Sequence, residues 1–136
     1  WRRESATAET FHPDGFLRTG DVATIDERGF VSIVDRAKDM VLVSGFNVYP
    51  CEVEEVLTQL DGVLEAACIG VPDEKSTEAV KVFVVPEPGR ELDRETVLAW
   101  CREHMTAYKV PKHIEFRDEL PKTNVGKILR RALREA

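Results

Sequence analysis

Several things are scarce in this sequence of 136 residues, and each scarcity removes a class of function. Cysteine occurs three times, at Cys51, Cys68 and Cys101. An odd number at wide spacing cannot build a disulfide framework and lacks the spacing of zinc ligands, so a reducing, cytoplasmic setting is expected. No apolar run is long enough to cross a bilayer, and no secretory signal is seen. There is no Ser/Thr/Gly-rich loop of the kind that grips a triphosphate. The histidines, His12, His104 and His113, have no Ser or Cys partner in a recognisable arrangement and are read as structural. Positive charge is short: the formal net charge of −6 argues against a general nucleic-acid binder. An initiator Met is missing too, so Trp1 is expected to lie inside a longer or processed gene product.

What is present is an ordinary globular composition, 43% hydrophobic and 32% charged, without low-complexity tracts or internal repeats. The length fits one domain, or one domain and a tail. The charge is unevenly spread. Residues 101–136 hold nine Lys and Arg against five Asp and Glu, a net of +4, which leaves −10 on residues 1–100. A locally basic end on an acidic chain points to a specific anionic ligand, such as a phosphate.

Residues 1–14 are polar and without a clear period. Val22 to Asp26 and Phe30 to Val34 are β-type runs around Glu27-Arg28-Gly29, which predicts a hairpin. A lone hairpin is barely stable in water, so this one reads as the edge of something larger, with a division near 36–39. Met40 to Val43 is a third run, closed by Ser44-Gly45. Pro50 suits a first helical position. Val53, Val56, Leu57 and Leu60 follow at helical spacing, with Glu52, Glu54 and Glu55 in the first turn, predicting a helix over about 51–60. Val63 to Val71 and Val80 to Val85 read as strands. Asp93 is a natural cap for a second helix with Val97, Leu98, Cys101 and Met105 on its apolar stripe, and Leu92 is placed to staple onto Val97. His113 to Phe116 reads as a last strand, and Lys127 as the opening of a final helix. Such an order predicts an α+β fold, a short central β-sheet flanked by helices.

Three stretches carry chemistry. In Gly15-Phe-Leu-Arg-Thr-Gly-Asp21, a carboxylate beside a glycine turn either accepts two hydroxyl hydrogen bonds, as ribose recognition requires, or caps the turn. In Asp35 to Pro50, four charges in five positions read as a solvated connection. Ser44-Gly45-Phe46-Asn47 then either lets a ligand approach the backbone closely or makes a plain strand-to-helix turn. In Leu120 to Arg134, Lys127, Arg130, Arg131 and Arg134 fall on one helical stripe opposite Ile128, Leu129, Ala132 and Leu133. A cation at a helix start opposes the dipole, so Lys127 invites a functional explanation. A solvated basic face is the other reading.

Together, in this order and spacing, from Gly15 to the C-terminus, these stretches resemble the adenylate-forming superfamily of acyl-CoA synthetases, luciferases and peptide-synthetase adenylation domains. DRAKDMVLVSGFNVYP and DELPKTNVGKILRRALR look most like bacterial long-chain fatty acid–CoA ligases. The resemblance implies that Asp21 binds the ribose hydroxyls of ATP and of the acyl-adenylate, and that Arg36 contacts the same region. It makes Lys38 the hinge of a mobile small domain. Ser44, Gly45 and Phe46 would line the CoA channel, and Lys127 would be the catalytic lysine of adenylation. Residues 1–37 would then be the tail of the large N-terminal adenylation domain and 38–136 the mobile C-terminal domain. ATP, AMP, CoA and Mg2+ are the implied cofactors. The Mg2+ is bound mainly by the large domain, which also holds the triphosphate loop and the acyl pocket, so the fragment alone is expected to be inactive. Implied partners are a fatty acid, the protein's own large domain, a peripheral membrane surface and a lysine acetyltransferase acting on Lys127. Ala37, where these ligases commonly carry lysine, and Cys51, where a polar residue is usual, depart from the pattern without touching an assigned role. Two rivals stand beside this reading: a ligase for an aryl or short-chain acid, and a non-catalytic module whose basic helix holds an anion.

Overall fold

The computed structural model describes residues 2–135. The chain divides into two compact units, 1–38 and 39–136.

The first unit begins with α1 (Glu4–Thr10), which the sequence reading missed. All its residues are exposed, so no apolar period marks it. Its hydroxyls bond back to the backbone, Thr7 Oγ1 to Arg3 O at 3.1 Å and Thr10 Oγ1 to Ala6 O at 2.6 Å. The expected hairpin follows as β1 (Asp21–Ile25) and β2 (Val31–Arg36), antiparallel, with Asp21 opposite Arg36. Asp26 closes the turn by accepting the backbone N–H groups of Arg28 at 2.9 Å and Phe30 at 2.8 Å. A 3₁₀ turn, Ala37–Asp39, spans the division.

The second unit is built on five strands. β3 (Val41–Val43) and β4 (Phe46–Val48) form a tight hairpin. The sequence reading took β4 for loop. Ser44 and Gly45 have φ of 51° and 86°, the positive values a two-residue hairpin turn needs at both central positions. Ser in place of the usual Asn or Asp hid that signal. α2 (Pro50–Thr58) opens on its proline and buries Pro50, Val53 and Leu57. β5 (Val63–Asp73) and β6 (Thr77–Pro86) make a long antiparallel pair. α3 (Arg94–His104) starts as expected, with the Asp93 carboxylate accepting from Thr96 N at 2.7 Å. A 3₁₀ turn, Ala107–Lys109, leads to β7 (His113–Phe116), and α4 (Arg130–Arg134) ends the chain.

β6 is the centre of the sheet. It pairs β5 on one side, and β3 and, in parallel, β7 on the other. Side chains of a strand alternate between faces. Val80, Val82 and Val84 accordingly join the cluster under α2 and α3 with Leu57, Val97 and Cys101. Phe83 and Val85 face the opposite way and pack with Ile69 of β5 and with Leu120 and Leu133 of the C-terminal segment. The α+β architecture, a short sheet with helices on both faces, is the expected one.

Candidate functional site

Asp21 and Arg36 face each other across the β1–β2 ladder. Their side chains form an ion pair, Nη1 to Oδ1 at 2.8 Å, with Asp21 mostly covered and Arg36 half-exposed. A carboxylate has about four acceptor positions, so this pair leaves capacity for hydroxyl donors. Lys38 is exposed in the 3₁₀ turn, and the two units divide directly after it.

The Ser44-Gly45-Phe46 turn is held from two sides. Ser44 donates its backbone N–H to Ser76 O at 2.8 Å. The Phe46 ring stacks on Tyr108, centroids 4.7 Å apart. The loop behind Ser76 is organised by Asp73, whose Oδ2 accepts from Ser76 Oγ at 2.6 Å, Lys112 Nζ at 2.9 Å, Ser76 N at 2.9 Å and Lys75 N at 3.1 Å. The Ser76 hydroxyl and then the Lys112 ammonium hold the Asp73 carboxyl well below the usual carboxylate range. Beside the turn lies an open groove of about 630 Å³, with Val80 and Leu98 in its floor and Lys75, Arg94 and Arg102 at its rim. Such a groove suits a ligand with anionic groups and an apolar body. Nothing in the local sequence reading joined these segments.

Lys127 is placed differently from expectation. It does not open a helix: α4 begins at Arg130, and Lys127 lies in a loop closed by a bridge between Lys122 and Ile128. Thr123 organises that loop, donating N–H to Lys127 O at 2.7 Å and accepting from Gly126 N at 2.9 Å and, at its Oγ1, from Lys127 N at 3.2 Å. The dipole argument from sequence therefore falls, because the residues before Arg130 use their N–H groups in the loop.

The basic stripe is also not a solvated one. Arg130 forks onto Glu54, Nε to Oε1 at 3.1 Å and Nη2 to Oε2 at 2.6 Å, with its side chain 18% exposed. Arg134 reaches the buried Asp39 at 2.8 Å, while Arg131 points outward, to Glu135. Burial works against the Arg130 charge; the hydrogen bonds and charge of Glu54, with Cys51 alongside, outweigh it and push its proton affinity above the ordinary arginine value. The connection 35–39 is corrected likewise, since Asp35 and Asp39 are buried. Seven of the nine Lys and Arg after residue 100 sit against carboxylates: Lys109, Lys112, Arg117, Lys122, Arg130, Arg131 and Arg134. Among the described residues, Lys127 and Arg102 alone of that set have no carboxylate partner.

His12 pairs with Asp14 at 2.8 Å and His104 stacks on Trp100. Among the described residues no group of three His, Cys, Asp or Glu could hold a metal ion, and no helix is long and apolar enough to cross a membrane.

Residues 52–127, more than half of the chain, match the model of the AMP-binding enzyme C-terminal domain. The chain belongs to that family. Among its relatives is a long-chain-fatty-acid–CoA ligase of Yersinia pestis, 62% identical over 99% of this chain and 24% of that protein. A methyl-dioxo-octahydro-indenyl propanoyl:CoA ligase of Rhodococcus jostii is 50% identical over 96% of this chain and 25% of that protein. Among solved structures, ATP-bound MatB from Rhodopseudomonas palustris is 41% identical with a TM-score of 0.94, over 99% of this chain and 27% of that one. This AMP-binding C-terminal domain chain thus spans about a quarter of the length of the relatives it matches.

Proposed function

We propose that this chain is the C-terminal part of an AMP-forming acyl-CoA synthetase that activates a long-chain fatty acid. The observation that carries the reading is Lys127: an exposed ammonium without a carboxylate partner among the described residues, on a structured loop in an otherwise neutralised basic segment. In the first half-reaction a fatty acid carboxylate oxygen bonds to the α-phosphorus of ATP, and the bond to pyrophosphate breaks. Lys127 stabilises the charge that develops on the oxygens. Asp21 accepts the ribose hydroxyls and Arg36, ion-paired to it, orients that carboxylate and contacts the same region. In the second half-reaction the CoA sulfur bonds to the acyl carbon, the bond to AMP breaks, and the thiol proton leaves to solvent. The Ser44-Gly45-Phe46 turn lines the pantetheine path, and the cationic rim beside it suits the phosphates of CoA.

Rotation about Lys38 exchanges the Lys127 loop for the Ser44 turn, which lies at a different part of the same unit. Adenylation chemistry of this kind uses Mg2+, which would be bound mainly by the large domain, and no step here runs through it. The chain alone has no turnover. In the cell it works in the cytoplasm and against a membrane surface as a peripheral protein, and a lysine acetyltransferase that neutralises Lys127 switches adenylation off. The Rhodococcus relative favours a second reading for the acid, since 50% identity here accompanies a ring-bearing acyl group in that protein's name.

The test is Lys127→Ala in the full-length enzyme, with the half-reactions assayed separately. Pyrophosphate release from ATP and fatty acid should fall about 100–1000-fold, the cost of one preorganised donor. Thioester formation from supplied acyl-adenylate should survive. Survival of both would return the loop to an ordinary surface feature.

A further inference from the structure

Lys127 can act only if its loop is held still against the rest of the unit, and the loop's own hydrogen bonds, all within residues 121–129, fix its shape but not its place. Its tip, residues 124–127, is exposed. α4, which follows it, has five residues and buries Leu133 alone. A helix that short has no stability of its own in water, so its place depends on tertiary anchors.

Some of those anchors are apolar, Leu120, Ile128 and Leu133 packing with Ile69 and Phe83, and the rest are ionic and partly buried. On one side of the loop Lys122 pairs with Glu65 of β5. On the other side Arg130 makes its fork with Glu54 of α2. Glu54 is itself fixed, because its Oε1 also accepts the backbone N–H of Cys68 on β5 at 2.8 Å. One helical turn beyond Arg130, Arg134 donates to Asp39, and Arg130 Nη1 lies 3.8 Å from the same carboxylate. Asp39 is the first residue of the second unit and follows Lys38 directly. Burying such pairs costs desolvation, and apolar packing of equal volume would stabilise as well or better. A geometric role accounts for keeping them: a planar fork on a carboxylate fixes direction, which a greasy contact does not.

We propose that Arg130 and Arg134, through Glu54 and Asp39, are positioning residues for adenylation that lock the Lys127 loop to the first residue after the hinge. Rotation at Lys38 then carries the Lys127 ammonium as part of a rigid body, without slack between hinge and loop. This inference rests on the reading of Lys127 and Lys38 given above.

The full-length enzyme with Arg130→Met, Arg130→Lys and Lys127→Ala, assayed side by side for the two half-reactions, tests it. Arg130→Met should slow adenylation about 10–100-fold, as a displacement near 1 Å does. Arg130→Lys, which keeps the charge without the fork, should fall between Met and wild type. Thioester formation from supplied acyl-adenylate should stay within about twofold, because that step does not use the loop. A merely structural role predicts equal loss in both half-reactions, and that result overturns the proposal. So does unchanged adenylation in Arg130→Met while Lys127→Ala loses it. If Lys127→Ala itself keeps adenylation, the fault lies in the reading of Lys127, and the positioning role falls with it. Should Arg130→Met fail to fold, Arg134→Met, at a side chain 35% exposed, decides by the same criteria.

Discussion

The two units of the chain fold by different rules. In the first, 1–38, Asp35 is the one buried residue among those described, while Phe16, Ile25, Phe30, Val31 and Ile33 are all more than 60% exposed. In the second, 39–136, two clusters built on opposite faces of β6 hold nearly all of the buried hydrophobic residues among those described. Regular backbone pairing is therefore no measure of self-sufficiency. The β1–β2 ladder has its hydrogen bonds and turn chemistry in order, yet buries almost nothing with them, and burial is the dominant favourable term in folding.

Separating the units should expose this difference most fully. Residues 39–136 expressed alone should unfold in a cooperative thermal transition followed by circular dichroism, and a 1–38 peptide should show none. A cooperative transition in the peptide would break the comparison.

Matched truncations sharpen it. Phe83→Ala, at a ring with no exposed surface, should cost about 3–5 kcal/mol. Phe30→Ala, at a ring 61% exposed, should stay within about 0.5 kcal/mol. Urea titration of both variants reads the ratio, and equal costs would mean that the hairpin has a core after all.

Titration offers a smaller contrast. Burial pushes the Cys101 thiol up to about 11 from an ordinary 9.0. The folded-state value lies above the unfolded one, so the contribution is complete below pH 9 and is lost as pH rises toward 11. The loss should reach about 3 kcal/mol and vanish in Cys101→Val. Urea midpoints at several pH values between those limits check it; a flat profile in wild type would contradict the burial of this thiol.

The smallest effect belongs to the β3–β4 turn. Gly45 has φ of 86° with open space where a Cβ would stand, so Gly45→Ala meets backbone strain and no clash. It should cost about 1 kcal/mol by urea titration. A stabilised variant would mean that the turn relaxes to a different conformation.

Legibility in the sequence followed the same division between local and distant causes. The β1–β2 hairpin, α2 with its opening proline, and α3 with its Asp93 cap were readable because their signals lie within a few residues of where they act. α1 was missed because it buries nothing and so leaves no period. β4 was missed because Ser44 stands where a stronger turn former is usual. The start of α4 was misjudged because Thr123, four residues before Lys127, holds the loop's N–H groups that a helix would otherwise use. At the site, the pairing of Asp21 with Arg36 follows from hairpin register once the turn is placed. The pairing of Arg130 with Glu54, 76 residues earlier, follows from no local rule.

The sequence by itself determined the β1–β2 hairpin, the opening of α2, the cap of α3 and the inward face of β6 at Val80, Val82 and Val84, because propensity, period and capping are short-range. Tertiary structure decided which cations are spent wherever the carboxylate is distant in sequence, at Lys109, Lys112, Lys122, Arg130 and Arg134. Seven of the nine in the basic C-terminal segment meet carboxylates delivered from elsewhere in the second unit or from their own segment, and Lys127 does not. Charge on a side chain is fixed by its residue type; whether that charge is left available to a ligand depends on neighbours that only the folded chain brings within a few ångströms.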